Sequence, residues 1–98
     1  MVTNQERDIF HENLRKNMRA IREDRGISQD LVALSLGVHL STVRKWEAGW
    51  AYPTAVNLYV WCRLMHVEVD RLFMTDNQWA DYCANKGIPY EILKGEKS

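Results

Sequence analysis

Residues Ser28–Pro53, SQDLVALSLGVHLSTVRKWEAGWAYP, read as two short helices folded about Gly37. Ser28 suits an N-cap, and Val32, Ala33 and Leu36 share one face of a helix predicted over Gln29–Leu36, which Gly37 stops. Val38 follows as an apolar plug at the turn. The next helix is predicted from about Leu40 to Ala48. Val43, Trp46 and Glu47 fall on its inner side, and helical spacing gathers Ser41, Arg44, Lys45 and Ala48 on the outer one. Leu31 and Leu34 stand on other faces of the first helix of this pair. Cover by the terminal extensions is expected for them, with an exposed partner patch as the alternative.

Upstream, Thr3 and Glu6 form a T-x-x-E capping box, so a helix is predicted to begin near Asn4. Phe10, Leu14, Met18 and Ile21 make one apolar stripe along it, and Gly26 fits the position after its end. Arg15, Lys16 and Arg19 read as a solvated surface. Downstream, Gly49–Tyr52 is a loop in which Trp50 and Tyr52 are expected to pack, with sugar or phosphate contact as the alternative. Pro53 is expected in the first turn of a fourth helix whose stripe is Leu58, Trp61, Cys62 and Met65. A fifth helix is predicted over Val69–Met74, bringing in Leu72 and Phe73. Asp76 is expected to cap a sixth that ends near Asn85, before Gly87, with Trp79, Tyr82 and Cys83 on its apolar side. Ile88–Leu93 reads as extended around Pro89, and the last five residues as a disordered tail. No strand is required: the fold class is all-α, with short connections.

Ninety-eight residues, 46% of them hydrophobic, suit one domain with a real core. No apolar run is long enough to span a membrane, and the polar start MVTNQERDIF lacks the apolar run of a secretory signal, so a cytoplasmic protein is expected. Cys62 and Cys83 read as buried, reduced thiols. His11, His39 and His66 are scattered without metal-ligand spacing, and no phosphate-binding or catalytic motif occurs, so neither cofactor, metal nor enzymatic activity is expected. The formal net charge is zero but unevenly spread: −2 over residues 1–12, +3 over 13–50 and −1 over 51–98. The modest basic excess lies on the helix pair and the helix before it, where an electrostatic footprint for nucleic acid would be needed.

A helix pair joined by a tight glycine turn can lay its second helix in the major groove of DNA. Residues 14–73 carry a fuller likeness: Leu14, Met18, Ile21-Arg22, Gly26-Ile27-Ser28-Gln29, Val32-Ala33, Leu36-Gly37-Val38, Ser41-Thr42-Val43, Trp46-Glu47, Gly49 and Pro53 stand in register, continued by Leu58 and Val67-Glu68-Val69-Asp70-Arg71-Leu72-Phe73. In these positions the chain resembles the helix-turn-helix domain of the phage repressor and Cro family, the XRE family, over about three-fifths of its length. The resemblance implies a five-helix repressor-like domain over residues 1–74, with an N-terminal helix extension. Residues 75–98 would be a short C-terminal extension.

The resemblance also implies roles. Gln29 matches a glutamine that touches a DNA phosphate, and Leu40, Ser41 and Lys45 match positions that reach base edges. His39, Thr42 and Arg44 flank them and are candidates for phosphate or base contact. The side-chain chemistry agrees: Arg and Lys pair with guanine, and Ser serves either base type. Arg22 and Glu47 match an interior ion pair that ties the first helix to the third and positions the recognition helix. Departures from the family pattern mark the chain: His39 replaces the usual cap, Leu40 is apolar at a reading position, and His66 replaces a glycine at the end of the fourth helix. The function expected is that of a homodimeric transcriptional repressor that binds double-stranded DNA sequence-specifically. The alternative is an antitoxin-like adaptor that binds a partner protein as well as operator DNA.

Overall fold

The computed structural model describes residues 1–86, which form six helices and no strand. The helices are α1 (Asn4–Asp24), α2 (Gln29–Leu36), α3 (Leu40–Ala48), α4 (Ala55–Met65), α5 (Val69–Leu72) and α6 (Asp76–Asn85). The expected stop at Gly87, the extended segment Ile88–Leu93 and the five-residue tail lie outside the described residues.

Local chemistry sets most helix ends. Thr3 and Glu6 close the capping box of α1 reciprocally, each backbone N–H donating to the other side chain at 3.1 Å. Ser28 Oγ accepts from the Leu31 N–H at 3.0 Å to start α2. At its far end Gly37 takes φ 69°, a left-handed conformation that lets the Val38 N–H return to the Ala33 carbonyl. Val38 is thereby turned into the core. Gly49 ends α3 similarly at φ 84°, and a Cβ there would stand 2.9 Å from the Arg15 side chain, so α1 crosses this turn at close range. α4 ends on a non-glycine residue in the left-handed region, His66 at φ 58°.

The core is one cluster: Leu14, Met18 and Ile21 of α1, Val32 and Ala33 of α2, Val43 and Trp46 of α3, Trp61, Cys62 and Met65 of α4, and Leu72 of α5. α3 packs on both α1 and α2, while α4 and α5 close the bundle behind them. Two asparagines of α1 fasten it to α5. Asn17 Nδ2 donates to the carbonyls of Arg71, Leu72 and Met74 at 2.8–3.2 Å, and Asn13 Nδ2 to that of Phe73 at 3.1 Å. A four-residue helix leaves most of the carbonyls at its C-terminal end without a full set of helical partners, and side chains from α1 supply further donors to them.

Several expectations are corrected. Phe10 is 41% exposed, so the buried stripe of α1 starts at Leu14. Pro53 lies one residue before the cap of α4, which is Thr54, its Oγ1 accepting from the Asn57 N–H at 3.2 Å. The cap of α6 is Thr75, paired with Gln78 in a second capping box, and Asp76 is the first helical residue. α5 stops at Leu72, before Met74, where α1 takes over its carbonyls. Leu31 and Leu34 are exposed at 46% and 79%, so the expected cover is absent among the described residues. Trp50 and Tyr52 are exposed too, not packed as expected. Tyr52 leans on α1 instead, its ring 4.1 Å from that of His11 and its hydroxyl 3.1 Å from Nδ1.

Candidate nucleic-acid interface

α3 is amphipathic for a simple reason: Val43, Trp46 and Glu47 return to the same side every three or four residues, and all three are buried. The opposite side follows from the same period. Ser41, Arg44, Lys45 and Ala48 are all exposed, and neither Arg44 nor Lys45 enters an ion pair among the described residues. At the N-terminal end His39 is exposed and occupies the N-cap, yet its side chain makes no capping bond. The first-turn N–H groups of α3 therefore lack a side-chain acceptor, and the imidazole points elsewhere. Leu40 is half-buried and packs against the core, so only part of it is presented outward; Thr42 is half-buried as well.

Beneath this row lies a buried polar junction. Arg22 Nε donates to Glu47 Oε2 at 2.7 Å and Nη2 to Oε1 at 3.0 Å, a two-point fork between α1 and α3. Arg22 Nη1 also donates to the Ile27 carbonyl at 2.9 Å, which ties in the loop before α2. The bond to Glu47 raises the Arg22 pKa above its ordinary value against the opposing effect of burial. Gln29 completes the set, its Nε2 donating to Glu47 Oε1 at 3.0 Å. The resemblance implies a phosphate contact for Gln29; the structure holds its amide nitrogen inside the junction and leaves Oε1 and the second N–H without a partner among the described residues. One glutamate thus sets three elements: α1 through Arg22, α2 through Gln29, and α3 on which it stands.

Sequence reasoning brought together Gln29, His39, Leu40, Ser41, Thr42, Arg44 and Lys45, and all fall on α3, its cap or the adjoining start of α2. It passed over Arg19. This side chain of α1 reaches the same surface and lines a notch with Arg22, Gln29, Arg44, Glu47 and Ala48. The signal was faint but present, because Arg19 lies three residues before Arg22 and so shares its side of α1.

No group of histidine, cysteine or acidic residues capable of holding a metal ion is found among the described residues. Nor is any of their helices long and apolar enough to cross a membrane. The geometry that remains is a fixed helix pair with a basic, exposed second helix. The family described as Helix-turn-helix matches residues 18–72, more than half of the chain. No curated protein and no solved structure matches the chain. The chain belongs to the helix-turn-helix family of the phage repressor and Cro type, the XRE family, and is a DNA-binding transcription regulator of that general class.

Proposed function

We propose that the chain is a homodimeric repressor that reads double-stranded DNA in the major groove with α3. The observation that carries this reading is the exposed row Ser41, Arg44 and Lys45 standing on a helix whose orientation is locked from beneath by Arg22, Glu47 and Gln29. Arg44 and Lys45 supply forked and point-like donors for guanine edges or phosphates, and Ser41 a hydroxyl for either base type. His39, Leu40 and Thr42 lie at the entering end of the helix, where the apolar edge of Leu40 suits a thymine methyl. Repression follows from occupying promoter DNA.

One helix of this length reads only a few base pairs, so two copies on related half-sites about 34–36 Å apart are the economical route to specificity. A face suited to a second copy exists away from α3. Val56 and Tyr59 of α4 and Val69 of α5 are exposed, and Tyr59 and Val69 line a groove with Leu58, Cys62 and Val67. Arg63, Glu68 and Asp70 also line that groove, so a twofold arrangement can oppose unlike charges.

The reading is tested by selecting bound sequences from random duplex DNA and then assaying Arg44→Ala/Lys45→Ala. A palindromic consensus is expected, with specific binding abolished in the variant and thermal unfolding nearly unchanged. Equal binding by both proteins would sink the assignment of α3. A second reading, an adaptor that also binds a protein, is favoured by one observation: Leu31 and Leu34 are exposed side by side on α2. A stable heteromeric complex lost in Leu31→Ser/Leu34→Ser would support it.

A further inference from the structure

The notch between α1, α2 and α3 encloses about 330 Å³ and combines a fixed interior with a free rim. Its interior is Arg22 and Glu47, both buried, with every Arg22 nitrogen and both Glu47 oxygens already hydrogen-bonded. That wall is charge-compensated and held in place. The rim is different. Arg19 meets only Glu23 among the described residues, at 3.3 Å and with both side chains more than half exposed, a solvent-screened pair of little worth. Arg44 makes no hydrogen bond or ion pair among the described residues. Two guanidinium groups from different helices therefore flank one opening with most of their donors unspent, and Gln29 adds amide capacity beside them.

What fits is an anion with several oxygen acceptors, because a guanidinium fork matches phosphate geometry and loses little freedom on binding it. The opening adjoins the outward row of α3, so a duplex read by that row brings its sugar–phosphate backbone to this place. We propose that Arg19 and Arg44 are the two jaws of a clamp for a single DNA backbone phosphate, seated in the notch between α1 and α3. The clamp rests on the reading of α3 as the recognition helix and adds to it an anchor from α1. Such an anchor fixes where α3 sits along the groove and carries no base information of its own.

The test uses the full chain, the selected operator duplex and a scrambled duplex of equal length, titrated between about 50 and 200 mM salt. Arg19→Ala is expected to weaken binding to both duplexes alike, by roughly tenfold for one charge-assisted contact. It should also flatten the logarithmic dependence of affinity on salt by about 1. Melting should be unchanged, since the only partner lost among the described residues is exposed Glu23. A neutral methylphosphonate at the clamped position should weaken the wild type by more than it weakens Arg19→Ala, in which only Arg44 still meets that phosphate. Wild-type affinity and salt slope in Arg19→Ala would overturn the clamp, and so would a loss confined to the operator, which would mark a base contact. The underlying reading fails separately: if Ser41→Ala/Lys45→Ala, which leaves both jaws in place, binds the operator as tightly as the wild type, α3 is not the reading helix.

Discussion

Glu47 shows how much one buried carboxylate can be made to do when each oxygen is matched. Both accept from Arg22, and Oε1 also accepts from Gln29, so three helical elements are referred to a single side chain. Removing it leaves Arg22 charged and unpaired in the interior. Glu47→Ala should therefore cost about 3–5 kcal/mol, read from the midpoint of urea unfolding. A stability close to wild type would show that water reaches Arg22 freely. The double replacement Arg22→Met/Glu47→Met removes both charges at once and should recover most of that loss, because apolar substitutes of similar size commonly stabilise as well as a buried pair. DNA affinity should not recover with it, since Gln29 and α3 would still have lost their common reference. Cys62 offers a second residue-scale test. Burial pushes its thiol up from 9.0 to about 11, so the folded state resists ionisation that the unfolded chain undergoes. Its contribution to stability is intact below about pH 9 and is lost as pH rises through about 11. Cys62→Ala should remove that part of the alkaline loss of stability in unfolding curves taken across the window.

At the scale of elements, the ends of helices carry the informative chemistry. α3 begins without a side-chain acceptor because His39 holds the cap position unused. His39→Ser should stabilise the chain by about 1 kcal/mol, measured by thermal unfolding, by supplying the missing bond to the first turn. If DNA binding changes in the same variant, the imidazole has a role at the interface that offsets its poor capping. His66 at φ 58° is the complementary case: His66→Gly should relieve left-handed strain and gain about 0.5–1 kcal/mol after the extra freedom of the unfolded glycine is counted. These ends also mark what could be read in the sequence. α2 and α3 were legible to the residue because Ser28, Gly37 and Gly49 each have one conformational use where they stand. Thr54 and Thr75 were harder, since Pro53 and Asp76 beside them are acceptable start signals and only the backbone direction separates them. The grip of Asn13 and Asn17 on α5 was hidden altogether, because its partners lie 54–60 residues away in the chain. For the candidate site, the outward row followed from helical period alone. The place of Gln29 in the Glu47 junction and of Arg19 beside Arg44 depends on how three helices cross, which no period encodes.

On the scale of the whole molecule, the exposed apolar residues of α4 and α5 stand on other helices than the basic row, and they make the last prediction. The basic row lies on α3 with Arg19 of α1, while Val56, Tyr59 and Val69 lie exposed on α4 and α5, the last two lining a groove of about 550 Å³. Leaving aromatic and branched side chains in water forgoes about 25 cal/mol for each Å² that pairing would cover. In the proposed dimer, a second copy seated on this face by twofold symmetry would cover both sets at once and could set Arg63 against Glu68 or Asp70. Val56→Glu/Tyr59→Glu should therefore sediment as a monomer at protein concentrations where the wild type sediments as a dimer, with helix content unchanged because both positions are already exposed. Affinity for an operator with two half-sites should fall steeply in the variant, while affinity for a single half-site stays the same, since each α3 remains intact. The two measurements separate the possibilities. A wild type that stays monomeric in solution and on the two-site operator would remove the dimer. A dimer unaffected by the two glutamates would move its interface elsewhere, with the exposed Leu31 and Leu34 of α2 as the next face to substitute.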